Sequence, residues 1–165
     1  MESNFAAKQL VFAHAAITDV QGKKLWHDQR IARDGFGVAS SSELDMAMKL
    51  RDWSLAADGK RYTAELPASD FGLKLQFNET QAALLQGKNG LSRKGPDEKQ
   101  ASYYYSQPQL ATTGSLRLKD KTFSIKGTAW LDHEWSQEIL APGAVGWDWI
   151  GMNLAEGSAL TAFRL

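Results

Sequence analysis

The sequence predicts an all-β fold, a barrel or sandwich of short antiparallel strands. Two observations lead there. Short apolar-alternating runs recur along the chain with turn residues close between them, and no segment carries the longer helices that alternating strand–helix folds require. With 165 residues, 43% of them hydrophobic, the chain fits one domain over residues 1–165 and can fill a core.

The run LVFAHAAIT (10–18) reads as a strand with Phe12, His14 and Ala16 on one face, and DVQGKK (19–24) as its turn. LWHDQRIAR then returns as the second strand of a hairpin. SSSELDMAM (40–48) reads as the start of a short helix, because Ser42 precedes an acid-rich first turn. Residues 49–56 read as strand, DGK (58–60) as a hairpin turn, and YTAELP as the partner strand ending at Pro67.

FGLKLQF (71–77) has the clearest alternation, with Phe71, Leu73, Leu75 and Phe77 on one face and Gly72, Lys74 and Gln76 on the other. GKNGLSRKGPDEKQ (87–100) is the longest polar stretch and reads as a loop. In GSLRLKDKTFSIKGTAW, Leu116 and Leu118 lead to a turn near Asp120 and Lys121, and Phe123 and Ile125 return. VGWDWIGMNL (145–154) reads as an aromatic strand, EGS as its turn, and SALTAFRL as a final strand lying at an edge or completed by another chain.

Composition removes several function classes. Nineteen basic and nineteen acidic residues cancel and the pI is near 6.8, which disfavours a general nucleic-acid partner. The absence of cysteine excludes disulfides, thiol nucleophiles and thiolate metal sites. The first twenty residues lack a basic start followed by a long apolar core and do not read as a signal peptide; no window reaches transmembrane length. Metal-protease, Walker-loop, dinucleotide and GxSxG patterns are all missing. Six tryptophans are the oddity: such rings fill cores or line cavities for apolar ligands.

The densest stretch is TAWLDHEWSQEIL (128–140). Extended geometry puts Ala129, Leu131, His133 and Trp135 on one face and Asp132 and Glu134 on the other. His133 is either a satisfied interior histidine or a ligand contact. Asp132 and Glu134 bind backbone groups or pair with Arg or Lys at a barrel end. Asp148 faces away from Trp147 and Trp149, together with Gly146, Ile150 and Met152, as a buried acid with a partner or a raised pKa. Tyr103 and Tyr105 share a face and either hydrogen-bond a ligand or close a barrel end. Ser92, Arg93 and Lys94 offer an anion site or solvated loop charge.

GLSRKG, ASYYYSQPQL, TAWLDHEWS and GWDWIGMNL, with FAHAAITDVQGK and DWSL (52–55), resemble the carotenoid hydratase and AttH-like family of lipocalin-like bacterial proteins, often described as predicted secreted hydrolases. The resemblance implies a lipocalin-like antiparallel β-barrel, equivalent to the first of two domains and incomplete without a second domain or a partner chain, a homodimer being one remedy. It implies a His133–Trp135 pair in a ligand cavity and no cofactor. The aspartate proposed for the hydratases falls on the strand matching LTAFRL, which has no acid here. Acid chemistry is thereby left to Asp148, to the motif itself or to a missing domain.

Three functions follow as expectations. The first is binding of an apolar or amphipathic, lipid-like or terpenoid-like molecule in an aromatic-lined barrel cavity. The second is a cofactor-independent hydratase or hydrolase acting on such a molecule, and the third is a structural domain packing against a second barrel. Candidate catalytic residues are His133 and Asp148; candidate ligand contacts are Trp135, Tyr103, Tyr105 and Trp147. No metal site is expected. The family is often exported, and the compartment of this chain stays open.

Overall fold

The structure is a computed structural model describing residues 9–42, 44–137 and 141–165. Its strands are β1 (Leu10–Asp19), β2 (Lys24–Arg33), β3 (Ala39–Ser41), β4 (Ala47–Leu50), β5 (Trp53–Asp58), β6 (Arg61–Pro67), β7 (Phe71–Asn78), β8 (Leu84–Leu85), β9 (Leu91–Arg93), β10 (Ala101–Leu118), β11 (Lys121–Trp135), β12 (Asp148–Asn153) and β13 (Ala159–Arg164). The all-β reading therefore holds.

The closed barrel does not. Nine strands form one sheet whose path runs β11-β10-β7-β6-β5-β4-β3, with β8 and β9 added on β10. Among the described residues nothing pairs β3 to β11, and β1–β2 and β12–β13 pair only within themselves. Closure needs the first and last strands to share a hydrogen-bond ladder. Here one end of the path is a three-residue strand and the other a fifteen-residue strand, so their lengths cannot match. Among the described residues no closed barrel is formed to supply the expected aromatic-lined interior.

The chain divides into two compact units, residues 1–77 with 112–126, and residues 78–111 with 127–165. The first holds a core of Trp53, Phe71, Ala15 and Ala68, with Ile17, Trp26, Leu73 and Leu118 packed on it. Phe71 and Leu73 arrive there through the alternation of β7, as predicted. In β1 it is Ala13, Ala15 and Ile17 that point inward, so Phe12 and His14 share the outer face, their rings 5.8 Å apart. Trp53 is 2% exposed and still satisfied, since its indole N–H donates to the Pro67 carbonyl at 2.7 Å. Arg117 reaches back to donate to the Ala68 and Phe71 carbonyls at 2.5 and 2.7 Å.

Turn chemistry accounts for the hairpins. Asp19 Oδ1 accepts from the Gly22 amide at 2.8 Å and closes the β1–β2 turn. Gly59 takes φ +58° in the two-residue loop between β5 and β6, where a side chain would be strained. The helix expected from Ser42 is not formed. Ser42 Oγ accepts from the Leu44 and Asp45 amides, which is what a helix cap does, but the turn it closes leads into β4. The 87–100 stretch is likewise more than a loop, because β9 pairs with residues 101–103 of β10.

The second unit contains β8, β9, the first part of β10, the last part of β11 and the β12–β13 hairpin. Pro108 is fully buried inside β10, and Gln109 follows at φ +52°. The irregularity frees the Gln109 amide, which donates to Asn153 Oδ1 at 2.8 Å, while its side chain donates to the Leu154 and Ser158 carbonyls. Asn153 also donates to the Ala129 carbonyl at 3.1 Å. These bonds pin the β12–β13 hairpin to β10 and β11.

Candidate functional site

Alternation along β10 and β11 sorts the dense polar and aromatic residues of the second unit into two faces. One face carries Tyr103 and Tyr105 of β10 with His133 and Trp135 of β11. Tyr103 stacks on Trp135 at 5.5 Å, and His133 lies tilted between Tyr105 and Trp135, 5.2 and 5.1 Å away. The Tyr105 hydroxyl and His133 Nδ1 are 3.0 Å apart. Burial, then the charge of Glu79, raises the Tyr105 pKa above its usual value.

The other face carries Ser102, Tyr104 and Ser106 of β10, all buried, opposite Asp132 and Glu134. Three donors converge on one oxygen of Asp132: Ser106 Oγ at 2.6 Å, Trp130 Nε1 at 2.9 Å and Tyr104 Oη at 3.0 Å. Trp149 of β12 donates in turn to the Tyr104 hydroxyl at 2.9 Å, and Gln86 donates to Ser106 Oγ at 2.9 Å. Burial and the Asp132 charge raise the Tyr104 pKa, which keeps this hydroxyl a donor. All three donors address Oδ1. Asp132 itself is exposed, and among the described residues no hydrogen bond to its Oδ2 accompanies these three.

Glu134 accepts from Ser102 Oγ at 2.5 Å and pairs with Lys94, whose ammonium lies 2.9 Å from Oε1. Lys94 is 4% exposed. Its approach to Glu134 is close in distance but outside hydrogen-bond geometry, so among the described residues the ammonium has no directed acceptor. The same ammonium sits 3.9 Å from the Phe163 ring and 5.1 Å from the Tyr104 ring.

These groups line a half-open cleft of about 530 Å³ together with Trp135, Ser136, Trp147 and Trp149. Trp149 and Phe163 are cross-strand partners in the β12–β13 hairpin, and both line the cleft. The cleft has the size of a small-molecule site, but it opens to solvent on a sheet face. The expectation of an apolar ligand held inside a closed aromatic barrel is thereby overturned.

Of the residues singled out from sequence, Trp135 and Trp147 line the cleft. His133, Tyr103 and Tyr105 form the aromatic row on the opposite face, which Trp135 joins at the end of β11. Asp148 lies outside both groups. It opens β12 opposite Arg164 and is exposed, where a buried acid was expected. The strand begins only at Asp148, so this carboxylate sits at its exposed first position. Lys94, Tyr104, Asp132, Glu134, Ser136, Trp149 and Phe163 line the cleft as well and are not among the site residues expected from sequence. Their signal was the polar half of the alternation, Ser102-Tyr104-Ser106 facing Asp132-Glu134. Arg93, from the expected anion loop, is instead occupied by the Gly95 and Pro96 carbonyls.

Among the described residues no group of three or more His, Asp or Glu is placed to hold a metal ion. No described helix is long and apolar enough to cross a membrane.

A profile of the AttH-like family matches residues 1–165. The crystal structure of a Nitrosomonas europaea protein described as AttH superposes with a TM-score of 0.91 at 47% identity, covering 98% of this chain and 51% of its own. This chain thus spans about half the length of that relative. Kievitone hydratase from Nectria haematococca superposes with a TM-score of 0.71 at 11% identity, covering 93% of this chain and 55% of its own, a likeness of fold alone. None of the curated proteins matches the chain.

Proposed function

The chain belongs to the AttH-like family, and we propose that its second unit is a cofactor-independent hydratase or hydrolase site for an apolar or amphipathic small molecule. The observation that carries this reading is Asp132. Three donors fix its Oδ1, and its exposed side faces a cleft lined by Trp135, Trp147, Trp149 and Phe163. A carboxylate held in one orientation beside an apolar platform is the arrangement that general-base activation of water requires.

In this reading the aromatic rings hold the hydrocarbon body of the substrate. Asp132 Oδ2 takes a proton from water as the water oxygen bonds to an electrophilic carbon. The carboxylic acid then returns that proton to the leaving oxygen in hydrolysis, or to the neighbouring carbon in hydration. Water is the only co-reactant, and no electron leaves the substrate. The hydratase activity named for the fungal fold neighbour is of the same water-adding class. A second lipocalin-like domain, or a second copy of the chain, is the partner proposed to complete the protein, supported by the half-length match to the Nitrosomonas relative.

The test is turnover of an uncharged aryl ester, p-nitrophenyl butyrate, in metal-free buffer by the chain and by Asp132→Asn. Loss of general-base catalysis lowers the rate by about 100-fold or more. Equal rates for the two proteins would remove Asp132 from the mechanism.

A further inference from the structure

Lys94 is the one lysine among the described residues lining the cleft, and its surroundings are unusual. Its stem is buried to 4% exposure, yet its ammonium has no directed hydrogen-bond acceptor. Buried ammonium groups ordinarily satisfy their donors, because an unmet N–H forfeits the hydrogen bond that water would have given it. Here the faces of Phe163 and Tyr104 supply quadrupole attraction and Glu134 supplies opposite charge at 2.9 Å, and among the described residues no acceptor meets hydrogen-bond geometry at the ammonium. The residue is nevertheless one of those that line the cleft, with its nitrogen just beneath the surface.

We propose that Lys94 is the polar anchor of this cleft, and that it donates a hydrogen bond to an uncharged carbonyl oxygen of the bound molecule. The proposal rests on the cleft being a substrate site and names the substrate class for it: a ring-bearing or chain-like apolar compound with a carbonyl. Charge selects the carbonyl over a carboxylate. Among the described lining residues one lysine faces two carboxylates, Asp132 and Glu134, and these repel an anionic ligand. A neutral acceptor meets the free N–H groups without that repulsion. A carbonyl so held is also polarised, which prepares the adjacent carbon for addition of water.

Two uncharged naphthalene probes separate the possibilities. Prodan carries a propionyl carbonyl, and its emission moves to the red when that oxygen accepts a hydrogen bond; N-phenyl-1-naphthylamine has no carbonyl. Lys94→Met is expected to weaken prodan by about 10-fold, the worth of one hydrogen bond to a charged donor. It should shift bound prodan emission to the blue and leave N-phenyl-1-naphthylamine within about 2-fold. Glu134→Gln retains the lysine and removes its paired charge, so it should hold or tighten prodan binding with the red emission preserved. That variant keeps the question open to refutation where Lys94→Met does not fold.

Equal effects on both probes, or an unmoved prodan emission, would overturn the anchor while leaving the cleft reading standing. Tighter binding of the anionic 8-anilinonaphthalene-1-sulfonate, lost in Lys94→Met, would assign an acidic ligand and overturn the carbonyl. Trp149→Ala should weaken both neutral probes. If it weakens neither, the cleft reading fails and the anchor fails with it.

Discussion

Trp149 donates its indole N–H to the Tyr104 hydroxyl at 2.9 Å, and that hydroxyl donates onward to Asp132 at 3.0 Å. A tryptophan of the β12–β13 hairpin thereby helps orient a carboxylate on β11 through a tyrosine of β10. Tyr104→Phe keeps the ring and its packing but breaks both bonds, leaving the indole N–H unpaired. The expected cost is about 1–3 kcal/mol in stability, read from urea midpoints. Ester turnover should fall by about 10-fold, because Asp132 loses one of its three orienting donors while keeping Ser106 and Trp130. Turnover equal to wild type would show that two donors suffice.

The tyrosines carry a pH signature. Burial raises the pKa of Tyr104, aided by the Asp132 charge, and burial with the Glu79 charge raises that of Tyr105. Their folded-state values lie above the unfolded value near 10.0. The sign follows from linkage: the stabilisation is complete below the unfolded pKa and is lost as pH rises through the folded pKa. Thermal midpoints should therefore decline above about pH 10, and phenolate absorbance should show late-ionising tyrosines in the folded protein. Tyr104→Phe should remove part of the late phase; a titration that matches free tyrosine throughout would contradict the burial argument.

The first unit depends on Phe71, 1% exposed and in contact with the Trp53 cluster. Phe71→Ala leaves a cavity that neighbouring strands can only partly close, and should cost about 3–5 kcal/mol. A denaturant titration measures it directly. A loss below about 1 kcal/mol would mean that the core collapses into the gap.

Two glycines should respond in opposite ways. A Cβ on Gly114 would lie 2.0 Å from the Lys74 carbonyl oxygen, backbone that cannot swing aside. A Cβ on Gly127 would meet no described atom within 4 Å apart from its chain neighbours. Gly114→Ala should therefore destabilise by more than about 1 kcal/mol, and Gly127→Ala should stay within about 0.5 kcal/mol of wild type. Thermal melts of the two variants, run together, decide the point.

Much of this molecule is legible in local pattern. The period-two run 71–77 announces β7 and the inward placement of Phe71 and Leu73, and DGK announces the turn after β5, because strand geometry and glycine torsions are set by neighbours in sequence. The alternation in 129–135 also separates Asp132 and Glu134 from His133 and Trp135 without any structure. Ser42 marks where the limit lies. The same hydroxyl-to-amide bonds cap a helix or close a turn, and only pairing with β3 and β5 makes the following residues a strand.

The sequence by itself therefore determined the all-β class, most strand positions, the family and the two faces of the 128–135 motif, since each rests on spacing or on residue identity. Tertiary structure alone decided that the sheet stays open, that the acidic face meets the cleft together with Trp135 while His133 does not line it, and that Lys94 is buried against Glu134 and Phe163. Those outcomes depend on pairings between segments tens of residues apart. Alternation states that two faces exist, but which face is covered depends on where β12 and β13 pack, and hydrogen bonds from Gln109 and Asn153 settle that position.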